Sequence, residues 1–217
     1  RERRAVAGSL AGHGELRPDA ARRIGRRRSF FFEDVVAEVA DAVEAAASEL
    51  TALGAELVEV ELAGAAAAAS SCGPIIWAEA LSVHRETLAS SPELFEDGTR
   101  RRLGLAADLS AADLARCRRR MVEWQREVRL ALEHVDLLLV PTLPVPPPAS
   151  EDADTVETTA RVVPFTFAIS LARVPAVSIP CGFTRAGHPI GLQLVAAPWR
   201  DASALGAAAA YQTVTDW

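Results

Sequence analysis

The sequence contains no lysine, because all 23 of its basic residues are arginine. Arginine stays protonated at any pH that enzymes use, so no side chain of this protein can act as an amine base or nucleophile. Methionine is also scarce: the single one is Met121, and the sequence begins with Arg1. We therefore expect this chain to be a piece of a larger protein, with any amine-dependent chemistry supplied by the preceding part.

Cysteine, histidine and long apolar runs are scarce as well. The three cysteines, Cys72, Cys117 and Cys181, lie far apart, and neither they nor the four histidines have the spacing of a metal site. An odd number of scattered thiols favours a reducing, cytoplasmic setting. No run of about 18 apolar residues predicts a membrane-spanning helix. A net charge of −6 argues against a nucleic-acid partner.

Periodic apolar segments fill much of the remaining sequence. With 50% hydrophobic and 24% charged residues, the chain has the composition of a packed globular protein. Apolar residues recur at steps of three and four between residues 36 and 53, which predicts a helix capped by Asp34 and ended by Gly54. Residues 58–62 alternate between apolar side chains and glutamates, which predicts a strand with one wet face.

The rest of the chain continues this alternation of helices and strands. Pro74 is predicted to open one helix, and Ser110 is predicted to cap a long amphipathic helix. A terminal helix is predicted from about Asp201. Residues 137–140 form a continuous apolar run, which is typical of a strand covered on both faces. Two further strands are predicted at residues 177–179 and 190–196. The alternation predicts the α/β class.

Two motifs near the end of the chain have a recognisable spacing. Residues 174–183 read VPAVSIPCGF, and residues 188–194 read HPIGLQL. They resemble the C-terminal part of the amidase signature family, whose members hydrolyse amides and typically carry a GxPAxSxPxGF…GxPxGxQL stretch. DLLLVPT at residues 136–142 resembles the strand-and-proline loop of the same family. RIG and FFFED, at residues 23–25 and 30–34, resemble its mid-chain segment. The resemblance implies the C-terminal portion of that α/β fold, a mixed β-sheet flanked by helices.

The resemblance also implies a catalytic apparatus that this chain lacks. In the family a serine attacks the amide, a second serine on a cis peptide relays the proton, and an unprotonated lysine is the base. Both serines belong to a glycine-rich segment, whereas the only serine pairs here, at residues 70–71 and 90–91, have no such flanking glycines. We therefore assign no catalytic residue, expect no metal or organic cofactor, and expect the chain to be inactive alone.

Three positions depart from what the resemblance implies. Ser170 stands where the family commonly has asparagine, and Arg173 stands where it commonly has glycine. Val163 stands where the tRNA-dependent amidotransferases usually carry an acidic residue that receives the amino group of the substrate. Val163 therefore disfavours the amidotransferase branch.

The candidate substrate contacts are two aromatic residues and two threonines. Phe31 belongs to a three-ring knot that could line an acyl or aromatic pocket, and Trp77 lies on a helical stripe. Thr142 and Thr166 lie near a strand end and beside a helix broken by proline, where pockets gather in α/β sheets. A thiol nucleophile at Cys181 is an alternative, but packing explains a buried cysteine more simply.

We expect residues 1–217 to form the C-terminal part of a single amidase domain. Residues 1–23 would be a surface connection, residues 24–135 an αβ unit with outer helices, and residues 136–217 the core strands and terminal helix. The expected partners are the missing N-terminal catalytic part and a small-molecule amide, and a homodimer remains open. Two alternatives remain: a catalytically dead binding or scaffold module, and a fragment of the amidase-like component of a tRNA-dependent amidotransferase.

Overall fold

The structure is a computed structural model that describes residues 23–26, 29–153 and 155–216. The predicted surface connection therefore lies outside the described residues except for Arg23. That residue does not belong to a connection, because it begins the first β-strand.

Five strands form one mixed sheet, which confirms the predicted α/β class. Strand β1 pairs in parallel with β2 and β3, whereas β5 pairs antiparallel with β3 and β4. The spatial order is β2-β1-β3-β5-β4. The strands are β1 (Arg23–Arg26), β2 (Glu56–Glu59), β3 (Leu137–Pro141), β4 (Ala176–Phe183) and β5 (Pro189–Ala196).

Helices cover both faces of the sheet. The described residues form α1 (Ala37–Ala52), α2 (Ala65–Ser90), α3 (Asp97–Ala107), α4 (Ala111–Ala131), α5 (Val156–Val162), α6 (Pro164–Ala172) and α7 (Asp201–Tyr211). Helices α1 and α7 pack on one face, and α2, α4 and α6 pack on the other. Among the described residues, none of the helices combines the length and the apolar composition that spanning a lipid bilayer requires.

Strand β3 explains how one segment serves both cores. Leu137 and Leu139 join the cluster under α1 and α7, and Leu138 and Val140 join the cluster under α2, α4 and α6. All four side chains are buried. A strand covered on both faces needs apolar residues at every position, so the continuous apolar run is accounted for.

Two predicted helix starts are wrong. Asp34 does not cap α1, because the residue before Ala37 is Val36, which offers no side-chain cap. Two valines separate Asp34 from the helix, and a side-chain cap must come from the residue adjoining the first turn. Pro74 lies inside α2, which begins at Ala65. The preceding alanine run has the highest helix propensity and outweighs the one hydrogen bond that proline removes. Ser110 does cap α4, since its Oγ accepts the Asp113 N–H at 3.1 Å.

Two strand boundaries also differ from prediction. Strand β2 ends at Glu59, so Val60 lies beyond it although it is still buried. Strand β4 runs through Pro180 to Phe183 instead of stopping before the proline. Within the described residues β4 is an edge strand, where a missing N–H interrupts no ladder, and its register with β5 shifts between Pro180 and Gly182.

Candidate substrate pocket

A cavity of about 370 Å³, here called the aromatic pocket, opens between α2, α5 and the start of α6. Its walls are mainly apolar and include the rings of Phe30, Trp77 and Phe167. Ser70 and Arg102 add polar groups. A concave, mostly apolar cavity with few polar groups is the usual form of a small-molecule site.

Phe30 is held at the pocket wall by two rings behind it. Its ring centroid lies 5.0 Å from that of Phe31 and 5.4 Å from that of Phe165. The backbone of Phe30 has a φ of 64°, a left-handed conformation that is rare for a bulky residue. Phe31 is fully buried, at 0% exposure, and is not among the lining residues. Phe31 therefore supports the wall from behind in this structure.

Trp77 lines the pocket because Gly73 leaves space for its indole. A Cβ on Gly73 would come within 3.1 Å of the indole carbon Cζ2 of Trp77. Arg102, on α3, donates from Nη2 to the Thr159 hydroxyl on α5 at 2.9 Å. This hydrogen bond joins two helices at the polar side of the pocket.

The two predicted threonines lie in different places. Thr166 is adjacent to the lining residue Phe167, and its hydroxyl donates to the Val163 carbonyl at 2.9 Å. Thr142 lies in a second depression of about 350 Å³, with its Oγ1 2.6 Å from the Oγ of Ser178. The structure therefore brings Trp77 to the aromatic pocket, puts Phe31 and Thr166 beside it, and keeps Thr142 apart. Substrate contact by these four residues stays a prediction.

Burial disfavours a thiol nucleophile at Cys181 or at Cys72. Burial raises the pKa of Cys181 to about 12 and that of Cys72 to about 11. Neither thiol therefore supplies an appreciable thiolate near neutral pH. Cys181 lies in the core beneath α1 and α7, as a packing residue does. The described part of the chain also holds no group of three side chains arranged to bind a metal ion.

Comparison with known proteins identifies the family. The sequence profile described as Amidase matches residues 15–205. The chain belongs to the amidase signature family. It is 34% identical over 204 residues to an amidase of Pseudomonas putida, a match that covers 90% of this chain and 43% of that protein. It is 36% identical over 220 residues to a glutamyl-tRNA(Gln) amidotransferase subunit of Halorhodospira halophila, covering 90% of this chain and 45% of that one.

Solved structures agree on the amidase-signature fold. A crystal structure of an amidase superposes with a TM-score of 0.80 at 24% identity, covering 98% of this chain and 50% of that chain. At this identity the likeness concerns the fold alone. The chain thus spans about half the length, or less, of the amidase-signature proteins that it matches.

Two departures from the amidase-signature pattern now have a structural setting. Val163 lines the aromatic pocket, where it contributes an apolar wall. Arg173 ends α6 with a φ of 55° and a ψ of 49°, in the left-handed region. Glycine adopts that conformation without steric cost, which gives a physical reason for glycine at this position.

Sequence reasoning misses several residues that line the aromatic pocket. The sequence indicates Phe30 only as part of the three-ring knot, and it points to Thr166 instead of the neighbouring Phe167. Pro164 could have indicated Phe167 from the sequence. It begins α6, and the start of a helix determines which of the helix side chains face the pocket. Arg102 gives no comparable signal, because it lies on a helix distant in sequence.

Proposed function

We propose that this chain forms part of an enzyme that hydrolyses the C–N bond of a carboxylic amide, and that it supplies one wall of the substrate pocket. The nucleophile, its base and the donors that stabilise the oxyanion would come from the rest of the amidase domain. The absence of lysine from the sequence carries this proposal, since the family chemistry uses an amine base. The chain alone would then be inactive.

The sheet supports treating all described residues as part of one amidase domain. Strand β1 lies in the αβ unit and β3 in the segment of core strands, yet β1 and β3 pair directly. The two segments therefore share one sheet, and neither has a complete sheet of its own. The predicted organisation over residues 1–217 stands as part of this proposal.

The aromatic pocket favours an amide that carries an apolar acyl or aryl group. The rings of Phe30, Trp77 and Phe167 offer flat apolar surface, and transfer of each buried CH₂ from water contributes about 0.8 kcal/mol. Val163 offers no charge to a substrate amino group. An amino-bearing amide would leave its ammonium group without a carboxylate partner among the lining residues, which is costly in an apolar site.

Part of a glutamyl-tRNA(Gln) amidotransferase is a second candidate, favoured by the identity to the Halorhodospira halophila protein. The apolar wall at Val163 weighs against it. The two candidates differ in the ligand that this wall would accept: an apolar amide in the first case and a glutamine side chain in the second.

Ligand titration tests the proposal. Phenylacetamide and L-glutamine would be titrated separately against the purified chain and followed by tryptophan fluorescence, with Trp77→Phe identifying the responding indole. We expect saturable binding of phenylacetamide only. Val163→Glu should weaken it at least about tenfold, because a carboxylate would enter an apolar wall.

Val122→Glu is the matched control. Val122 is exposed on α4, so the same substitution there should leave phenylacetamide binding unchanged. Saturable glutamine binding with no response to phenylacetamide would contradict the proposal and favour the amidotransferase. Absence of binding by either ligand would remove support for a substrate wall and favour a catalytically dead scaffold.

A further inference from the structure

One part of the sheet lacks the cover that the rest of it has. Ala176, Ser178 and Pro180 of β4 are exposed, whereas the residues alternating with them, Ile179 and Cys181, are buried against the core under α1 and α7. We call the surface of β4 formed by the three exposed residues the open face. An antiparallel edge strand such as β4 can face water on one side without any neighbour. A neighbour is therefore indicated only by the polar group that borders the open face.

A buried polar group borders the open face. Gln193 on β5 is the cross-strand partner of Ser178, so its side chain is directed to the same side of the sheet. Gln193 is only 5% exposed, and its Nε2 has no hydrogen-bond partner among the described residues. A buried donor without an acceptor is destabilising and is rare in folded proteins.

A half-buried amide elsewhere in the protein has a hydrogen-bond partner. The Nε2 of Gln125 donates to the Leu171 carbonyl at 3.1 Å. The unsatisfied amide of Gln193 is therefore a local feature beside the open face, and no described residue supplies its acceptor.

The shape of the open face fits a polypeptide backbone. The residues of the open face, Ala176, Ser178 and Pro180, are small. Beside them, the side chains of Thr142 and Ser178 fill the space above Gly191, where a Cβ would come within 2.7 Å of the Thr142 Oγ1. Small side chains allow another main chain to approach closely. The hydroxyl pair can also both donate and accept.

We propose that the open face binds main chain from the remaining part of the amidase domain, with the Gln193 amide donating to a carbonyl of that segment. The occupant follows from the length of the relatives, since this chain covers 43% of the Pseudomonas putida amidase and 45% of the Halorhodospira halophila protein. The inference rests on the proposed function only in that both assign the missing part to the same domain.

Association with a relative's complementary part tests the inference. The region of the Pseudomonas putida amidase outside its match to this chain would be produced as a separate polypeptide and titrated against the full chain by isothermal calorimetry. We expect the chain to bind it. Gln193→Met should weaken binding at least about tenfold, yet it should raise the urea midpoint of the isolated chain, because the unsatisfied donor is removed without loss of volume.

Gln125→Met is the matched control. It should lower the urea midpoint of the isolated chain, since the Leu171 carbonyl loses its donor, and should leave association unchanged under native conditions. A role of Gln193 in folding alone would move stability and association in the same direction. The opposite movement of the two readouts is the signature of the proposed contact.

A second pair of variants tests the face without relying on Gln193. Ala176→Trp puts a bulky ring on the exposed open face and should abolish association, whereas Ala186→Trp, at an exposed position in the turn between β4 and β5, should not. Circular dichroism would first verify that the complementary polypeptide is folded. The inference would be overturned if the wild-type chain failed to bind the folded polypeptide, if Gln193→Met bound like wild type, or if the open face instead paired with a second copy. Binding without amide hydrolysis would contradict the proposed function and leave the inference standing.

Discussion

Arg173 offers a stability prediction with a defined sign. It follows the last residue of α6 with a φ of 55° and a ψ of 49°. A side chain with a Cβ pays about 1–2 kcal/mol for this conformation. Glycine avoids that cost, but its larger conformational entropy stabilises the unfolded chain by about 0.5–1 kcal/mol. The difference predicts that Arg173→Gly stabilises the fold by about 0.5–1 kcal/mol.

Urea unfolding followed by circular dichroism at 222 nm measures this change. The midpoint should rise with an unchanged slope, and the melting temperature should rise by about 2 °C for a chain of this size. Arg173→Ala is the control, because it removes the guanidinium but keeps the Cβ, and it should not raise the midpoint. The reasoning would be refuted if Arg173→Gly lowered the midpoint, or if the alanine variant stabilised the chain equally.

Three further perturbations have expected outcomes. Gly191→Ala should lower the free energy of unfolding by about 1–3 kcal/mol, because its Cβ would meet the Thr142 Oγ1 at 2.7 Å. Gly104→Ala, on an open helix surface, should raise the free energy of unfolding by about 0.5–1 kcal/mol. Urea unfolding measures both changes. Trp124→Phe should lower the free energy of unfolding by about 1–3 kcal/mol in the same assay, because the indole N–H donates to the buried Ala168 carbonyl at 2.7 Å. Burial raises the pKa of Cys181 from its ordinary 9.0 to about 12, so its stabilising contribution should be complete below pH 9.0 and be lost as the pH rises towards 12. Across that pH range, the free energy of unfolding of Cys181→Ala should fall less steeply with pH than that of the wild type. Equal slopes would contradict the raised pKa of Cys181.

Much of the fold could be predicted because local patterns and tertiary packing agree. The apolar stripe of α4 begins after a side-chain cap at Ser110, and the fully apolar β3 is covered on both faces as expected. Predictions failed where a second signal outweighed the local effect of a proline. The helix propensity of the alanine run lets α2 begin at Ala65, before Pro74, and the edge position of β4 accommodates Pro180.

The candidate pocket was harder to predict than the fold. Its walls come from residues far apart in sequence, such as Phe30, Trp77 and Phe167, which only tertiary packing brings together. The left-handed backbone of Phe30 has no signature in the sequence, because nothing in a phenylalanine side chain favours a positive φ. The orphan amide of Gln193 likewise depends on what packs above it.

Amide hydrolysis by the isolated chain is the most direct test of the central claim, which is that the catalytic groups come from the rest of the amidase domain. The purified protein would be incubated with a panel of apolar primary amides while ammonia release is measured, and in parallel with a fluorophosphonate that labels activated serines. We expect no ammonia above the buffer background and no labelled band, because the chain has no lysine to activate a hydroxyl. Turnover that co-purifies with the chain, or stoichiometric labelling of one of its serines, would contradict that expectation.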